Sequence, residues 1–188
     1  MPITFCYDLN SPYAWLAAER IHGLTDAQVD WVPVLLGGIF RATGRGSWAL
    51  TDARAKGIAD IEQRAAARGL PPIRWPEPWP NDGLTAMRLA TYADTRGLGR
   101  RFALEAFRCS FLEGRTLSHD ATLARAAGRA GLEPDQALEA TRDPEVKALL
   151  RERTDAALAA GVIGVPSVRI DGRVTWGDDR LDDALGAQ

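Results

Sequence analysis

Alternating apolar and polar residues predict strands near both ends of the chain, and helical spacing predominates between them. Residues 2–7 and 29–34 alternate and carry many aromatic and β-branched side chains, a pattern typical of strands. Residues 167–170 and 173–176 form a second pair of predicted strands, joined by the strong turn dipeptide Asp171-Gly172. Pro33 places the strand at 29–34 at an edge of its sheet or marks its end. The pattern therefore predicts an α/β protein.

Apolar residues recur at helical spacing through the middle of the chain. The predicted helices cover residues 11–23, 49–68, 83–97, 99–112, a segment from about 118 to 131, a short segment that begins near Pro134, and a last one that begins near Pro144 and runs to about 160. The adjacent glycines at positions 37 and 38 allow a turn or a close approach to a ligand. Residues 70–82 include five prolines, which predicts a stiff, extended connector.

Composition narrows the class of protein. The 188 residues suit one domain, or one domain with a large insertion, and the 46% hydrophobic and 26% charged content is ordinary for a globular protein. A net charge of −2 offers no general basic field for nucleic acid. No apolar run approaches the roughly 20 residues needed to span a membrane, and we expect no signal peptide. Two cysteines without metal-ligand spacing fit a reducing cytoplasm, with no metal site.

The first stretch with candidate chemistry joins the first strand to the first helix. Ser11 stands where a helix N-cap residue belongs, and Pro12 where the first helical residue belongs. The free backbone N–H groups and the helix dipole at such a terminus favour an anion. The second stretch runs from Gly161 to Leu181 and contains Val165-Pro166 before the predicted hairpin and Asp178-Asp179-Arg180 after it.

Together these stretches resemble the thioredoxin superfamily, and within it the branch of 2-hydroxychromene-2-carboxylate isomerases and kappa-class glutathione transferases. The resemblance implies an α/β thioredoxin-like fold with a large α-helical insertion. We expect the thioredoxin-like domain at residues 1–37 and 151–188 and the inserted helical domain at 38–150. The similarity covers nearly the whole chain and is most specific at 7–17, 35–44, 75–90 and 161–181.

The resemblance also implies a cofactor. Redox members carry Cys-x-x-Cys at the start of the first helix, and here Ser11-Pro12-Tyr13-Ala14 occupies that position. Without either cysteine, dithiol–disulfide exchange is not possible at this site. A serine in place of the first cysteine implies that the sulfur arrives with a ligand, which in this branch is glutathione. Ser11 would donate a hydrogen bond to the glutathione sulfur and favour its thiolate.

Further glutathione contacts are implied at the second stretch. Val165-Pro166 matches the Val-Pro whose peptide bond is cis in thioredoxin folds. The Val165 backbone would pair like a strand with the cysteine part of glutathione. Asp178, Asp179 and Arg180 would open the final helix, and the two aspartates would hold the γ-glutamyl end through the helix terminus and a carboxylate.

Two residues are candidates for the substrate pocket. Arg41 stands where the family usually has a lysine that faces the substrate, and an arginine can bind a carboxylate through two hydrogen bonds. Trp79 could cover the aromatic ring of a substrate. The alternatives are that Trp79 only packs in the core and that Arg41 is a solvated loop residue. Arg45, Lys56 and Arg64 depart from the family pattern, which predicts a more polar pocket.

Three functions fit this sequence. The first is a glutathione-dependent isomerase that acts on 2-hydroxychromene-2-carboxylate-type aromatic catabolites through a thiolate adduct. The second is a kappa-like glutathione transferase or peroxidase, and the third is a non-catalytic thioredoxin-like protein that binds glutathione. The resemblance further implies a homodimer. Cys6 and Cys109 lie on predicted apolar surfaces, so we expect them to be core residues.

Overall fold

A four-stranded sheet forms one side of the molecule in the computed structural model, which describes residues 2–186. The strands are β1 (Ile3–Tyr7), β2 (Val29–Pro33), β3 (Ser167–Ile170) and β4 (Arg173–Trp176). Their order across the sheet is β2-β1-β3-β4. β2 runs parallel to β1, whereas β3 is antiparallel to both β1 and β4. The central β1 is thus joined to strands from both ends of the chain.

β1 is buried on both of its faces. Ile3, Phe5 and Tyr7 point into the larger hydrophobic cluster, whereas Cys6 belongs to a smaller cluster on the opposite face. On the larger side the Trp31 ring of β2 meets Phe5 edge-on, with ring centroids 4.8 Å apart. A strand covered on both faces reads as a nearly continuous apolar run, as β1 does. β2 is an edge strand, which confirms the prediction from its proline.

Nine α-helices occur in the described residues, with most of them between β2 and β3. They are α1 (Pro12–Ala18), α2 (Leu36–Thr43), α3 (Arg54–Ala67), α4 (Leu84–Thr95), α5 (Gly99–Phe111), α6 (Asp120–Ala130), α7 (Pro134–Ala140), α8 (Pro144–Ala159) and α9 (Leu181–Leu185). This confirms the predicted sheet with a helical insertion. One hydrophobic cluster includes residues of β1 and of helices α4 to α6, so the predicted domain division at residues 37/38 and 150/151 stays a prediction.

The adjacent glycines lie inside helix α2 rather than in a turn, so the close approach to a ligand is the alternative that stays a prediction. Glycine lowers helix propensity, but tertiary contacts hold the start of this helix. The Leu36 N–H donates to the Asp8 carboxylate at 2.9 Å, and the Leu35 N–H donates to the Thr154 hydroxyl at 3.0 Å. Contacts distant in sequence therefore outweigh the local preference.

Several predicted helix ends also differ. α1 ends at Ala18, and a separate 3₁₀ turn covers Ile21–Gly23, so the predicted helix over 11–23 is too long. Another 3₁₀ turn covers Trp48–Leu50, and α3 begins only at Arg54. The final helix is likewise preceded by a 3₁₀ turn at Asp178–Arg180. Short 3₁₀ segments at helix ends are common because they tighten the last turn of backbone hydrogen bonds.

Gly57 gives a direct test of the packing between α3 and the segment before it. A Cβ atom at this position would lie 2.2 Å from the Trp48 ring, so only glycine leaves room for the indole. We expect Gly57→Ala to lower the free energy of unfolding by about 1–3 kcal/mol, because the clash exceeds the gain in helix propensity. Urea unfolding measures the change.

The matched control is Gly128→Ala in α6, where the added Cβ would have ordinary contact distances, the shortest being 3.6 Å. It should stabilise the protein by about 0.5–1 kcal/mol. A stabilising Gly57→Ala would contradict the described position of Trp48.

Candidate active site

A cleft of about 1280 Å³ lies between the sheet and the helices that follow β2. Every residue predicted for the site lines this cleft: Ser11, Arg41, Trp79, Val165, Pro166, Asp178, Asp179 and Arg180. These residues come from five separate segments of the chain, and the fold brings them to one place. Their individual roles in binding and catalysis stay predictions.

Ser11 is the N-cap of α1, as predicted. Its hydroxyl oxygen accepts a hydrogen bond from the Ala14 N–H at 3.1 Å, and only 5% of the residue is exposed. Accepting this bond uses a lone pair of the oxygen and leaves the hydroxyl proton able to point into the cleft. α1 has only seven residues, so its dipole is weaker than that of the predicted helix. The Ser11 hydroxyl should therefore stabilise an anion at this site more than the helix dipole does.

Neither the cysteines nor the histidines offer this cleft a nucleophile or a base. Burial raises the pKa of Cys6 to about 11, and burial followed by the Glu113 carboxylate raises the pKa of Cys109. Both thiols are buried, which confirms that they are core residues. His22 and His119 do not line the cleft. A reactive thiolate would therefore have to come from a ligand.

The Asp8 carboxylate lies just before Ser11 in the chain, and both of its oxygens accept hydrogen bonds. Its two oxygens accept hydrogen bonds from the backbone N–H groups of Asn10 and Leu36, each at 2.9 Å. Burial raises the pKa of Asp8, and these two hydrogen bonds oppose that rise. The Ser11 N–H donates to the Asp8 carbonyl oxygen at 3.0 Å. Asp8 thus fixes the loop that presents Ser11.

The Val165-Pro166 peptide bond is cis, as predicted. Val165 itself is 7% exposed and lines the cleft. Within residues 2–186, its N–H and C=O make no hydrogen bond, whereas the neighbouring Pro166 carbonyl accepts from the Gly177 N–H at 3.0 Å. A backbone with both groups unpaired can bind an extended peptide through main-chain hydrogen bonds.

The Asp178 carboxylate, which the resemblance assigns to the γ-glutamyl end of glutathione, is bound by arginine side chains of the protein itself. Its side chain is completely buried and is held by two arginines of α3. Arg68 donates to both carboxylate oxygens, at 2.6 and 2.9 Å, and Arg64 donates to one of them at 3.1 Å. The carboxylate is therefore already neutralised within the protein. Asp179 is exposed, lines the cleft and makes no ion pair with another described residue, so its carboxylate is available to a ligand.

The ion pairs and hydrogen bonds around Asp178 continue to α1, and this network was not predicted from the sequence. Arg64 also forms an ion pair with Asp60 at 2.9 Å, and the Tyr13 hydroxyl donates to the same carboxylate at 2.8 Å. Burial, followed by that hydrogen bond, raises the pKa of Tyr13, so its phenol stays neutral. The repeat of Asp60, Arg64 and Arg68 every four residues places them on one helix face and was the available signal.

Trp79 both packs and lines the cleft, so its two predicted roles are compatible. The residue is 6% exposed, and its indole N–H donates to the Asn10 carbonyl oxygen at 3.2 Å. Its ring lies 4.6 Å from that of Trp75 and 5.5 Å from that of Trp48. Trp48 also lines the cleft and was not predicted from the sequence.

The three departures from the family pattern occupy different environments. Arg45 and Arg64 line the cleft, whereas Lys56 is exposed outside it. Arg41 is exposed on α2 and lines the cleft, where its guanidinium can reach an anion. Among residues 2–186, no cluster of three or more metal-binding side chains occurs. No described helix combines the length and apolarity required to cross a bilayer.

Comparison with known proteins shows the family of this chain. A model described as DSBA-like thioredoxin domain matches residues 2–187, so the chain belongs to that family. Glutathione S-transferase kappa 1 of Homo sapiens is 25% identical over 94% of this chain and 85% of its own length. The 2-hydroxychromene-2-carboxylate isomerase of Sphingobium xenophagum is 26% identical over 96% of this chain and 94% of its own length.

Structural comparison agrees. A solved structure of 2-hydroxychromene-2-carboxylate isomerase superposes with a TM-score of 0.87 at 19% identity, covering 100% of this chain and 94% of that one. These findings confirm the predicted resemblance and the DsbA-like thioredoxin fold. The similar relatives bear the names of enzymes, and the transferase is named for its use of glutathione.

The buried ion-pair network predicts a large effect for one substitution. Asp178→Asn leaves Arg64 and Arg68 without their shared counter-charge, which should lower the free energy of unfolding by about 2–4 kcal/mol, with partial relief because both arginines contact solvent. Urea unfolding at pH 7 provides the measurement.

Glu139→Gln is the matched control because it breaks an ion pair whose partners are 70% and 71% exposed. Its effect should stay within about 0.5 kcal/mol. Equal effects of the two substitutions would show that the Asp178 network does not contribute to stability as described.

Proposed function

We propose that this protein is a glutathione-dependent isomerase of 2-hydroxychromene-2-carboxylate-type aromatic catabolites. The observation that carries the proposal is the shared cleft of a nearly buried serine hydroxyl and the unpaired Val165 backbone. The first group suits a thiol and the second suits the peptide that carries it. The similarity to the Sphingobium xenophagum isomerase over nearly the full length of both chains supports this choice of reaction.

The residues present fit glutathione at three points. The Val165 N–H and C=O can pair with the cysteine backbone of the tripeptide. The exposed Asp179 carboxylate can accept from the ammonium of the γ-glutamyl group, and Arg180 beside it can donate to a carboxylate. Asp178 contributes indirectly, because its bonds to Arg64 and Arg68 fix the turn that carries Asp179.

Ser11 is the residue that activates the thiol. Its hydroxyl proton can donate to sulfur, and because this bond is stronger to a thiolate than to a thiol, it lowers a thiol pKa of about 8.5 toward neutrality. When bound, glutathione would supply a thiolate for reversible addition to the conjugated double bond of the substrate, which is the chemistry that a cis–trans isomerisation requires. Ser11 does not itself attack, since no histidine lines the cleft to serve as its base.

The substrate would lie between α2 and the tryptophans. Arg41 would bind the substrate carboxylate, and the exposed edge of Trp79 would cover the aromatic ring. Both assignments rest on the position of these side chains in the same cleft as Ser11. The cis peptide bonds at Glu77-Pro78 and Trp79-Pro80 belong to the connector that carries this tryptophan.

A kappa-like glutathione transferase or peroxidase is the second candidate function. The observation that favours it is the 25% identity to the Homo sapiens kappa transferase, which matches the similarity to the isomerase. The glutathione contacts would be the same, and only the electrophile would differ. A non-catalytic glutathione-binding protein would use the Val165 backbone without depending on Ser11. We further propose a cytoplasmic homodimer, which sedimentation and cell fractionation would test.

Glutathione binding is the first expected result. Calorimetry should detect binding in the micromolar to millimolar range, and Asp179→Ala should weaken it at least about tenfold by removing the partner of the ammonium group. Asp155→Ala, which removes an exposed carboxylate of α8 outside the cleft, should leave the affinity unchanged. Absence of glutathione binding to the wild type would refute both proposed enzyme functions.

Ser11→Ala should separate catalysis from binding. Loss of the hydroxyl should reduce kcat for chromene carboxylate isomerisation by about 10²-fold, as removal of one donor to a developing anion does in other enzymes. The dissociation constant of glutathione should change less than about threefold, because the main-chain contacts at Val165 remain.

Ser118→Ala, an exposed serine outside the cleft, serves as the control and should not alter either quantity. If Ser11→Ala retained full turnover while binding glutathione normally, the catalytic role of Ser11 would be wrong and the non-catalytic alternative favoured. Parallel assays with aryl halides and peroxides distinguish isomerase from transferase or peroxidase.

A further inference from the structure

Arg45 and Trp176 form a contact that joins the two walls of the cleft. The Arg45 guanidinium carbon lies 4.6 Å from the centroid of the Trp176 ring, and both residues line the cleft. Arg45 follows the end of α2, whereas Trp176 is the last residue of β4. The tryptophan is 43% exposed, so the stacked guanidinium covers only part of its surface. We call these two residues the Arg45–Trp176 pair.

The position of the tryptophan ring is fixed from below. A Cβ atom added to Gly164 would lie 2.6 Å from the indole nitrogen of Trp176, so the ring rests directly on backbone beside Val165. The backbone N–H of Arg45 donates to the Phe40 carbonyl oxygen at 3.0 Å, which fixes the backbone from which the arginine side chain extends. The pair therefore lies next to the backbone that we propose binds glutathione, and the contact with Trp176 reduces the conformational entropy that Arg45 would lose on binding.

Among residues 2–186, the Arg45 guanidinium makes no hydrogen bond or ion pair beside its contact with Trp176. A guanidinium contacts an aromatic face through its own face, while its N–H groups point outward in the plane. The Arg64 guanidinium carbon lies 5.3 Å from the centroid of the Tyr13 ring, but its N–H groups donate to Asp60 and Asp178. Arg45 forms no ion pair with any residue from 2 to 186. Its donors are thus available to an anion in the cleft.

We propose that Arg45, held on Trp176, is a specificity-determining residue that joins Arg41 in binding the carboxylate of the electrophile and so selects anionic over neutral partners of glutathione. This inference rests on the proposed function and deepens it. Two parallel N–H donors match the two oxygens of a carboxylate, a geometry that lysine or glutamine cannot provide. Arg41 lines the same cleft but has no aromatic partner among the described residues, so it is less constrained.

Binding of two glutathione conjugates tests the proposal without relying on turnover. The probes are S-(4-carboxy-2,6-dinitrophenyl)glutathione and S-(2,6-dinitrophenyl)glutathione, which differ only in the carboxylate. By calorimetry, the wild type should bind the carboxylated conjugate about tenfold more tightly. Arg45→Gln should bring this ratio below about twofold while leaving the affinity for the other conjugate unchanged.

Three further variants test whether Arg45 and its contact with Trp176 cause the difference in affinity between the two conjugates. Trp176→Leu should reduce the ratio because it removes the stacking surface, and Arg45→Lys should retain only part of it because an ammonium is a single point charge. Arg96→Gln is the matched control: Arg96 lies 5.1 Å from the Tyr92 ring but outside the cleft, so the ratio should persist. Thermal unfolding of each variant identifies any that is not folded.

The outcomes separate the two proposals. If the wild type bound neither conjugate nor glutathione, the proposed function would fail and this inference with it. If the wild type bound both conjugates equally, or if Arg45→Gln kept the tenfold ratio, the inference would be wrong while glutathione binding stood. Loss of the ratio in Arg41→Gln but not in Arg45→Gln would likewise overturn it.

Discussion

A buried carboxylate that must be satisfied by backbone N–H groups governs the layout of the cleft. Asp8 is 6% exposed, and its oxygens accept from the backbone of its own loop and from the start of α2. A charge removed from water without such partners would be costly, so the loop and the helix are held in one arrangement. Ser11 follows in the loop, while Arg41 and Arg45 follow along the chain from Leu36. The placement of the proposed thiol-binding and anion-binding residues thus depends on this contact.

A second buried carboxylate sets the charge of the opposite wall. Asp178 is neutralised by Arg64 and Arg68, which removes three charges from direct competition for a ligand. Asp179 is left to attract a cation at one end, while Arg41 and Arg45 are left to attract anions elsewhere in the cleft. A tripeptide with an ammonium group and carboxylates, joined to an anionic electrophile, complements this distribution. Charge pairing inside the protein therefore decides which charges the cleft presents.

The chemistry also depends on what the chain lacks at this site. Cys6 and Cys109 are buried with raised pKa, and the motif position of the first cysteine holds Ser11. A serine hydroxyl cannot exchange disulfides, but it can stabilise a thiolate that another molecule supplies. The thioredoxin-like scaffold leaves the Val165 backbone unpaired, and the proposed reaction would use it to bring the sulfur of glutathione to Ser11. The same scaffold can thus support redox or glutathione-dependent chemistry.

The sequence by itself determined the strands, the Ser11 cap and the edge position of β2, because period-two alternation, capping chemistry and a strand proline are local signals. It did not determine the helical state of Gly37 and Gly38, because the contacts that stabilise α2 come from Asp8 and Thr154, distant in sequence. Only the tertiary structure decided that Asp178 forms ion pairs with two arginines, whereas Asp179 has no ion-pair partner among the described residues. It likewise decided that Arg45 meets Trp176 across 131 positions of chain (from 45 to 176), because such partners are set by packing rather than by spacing.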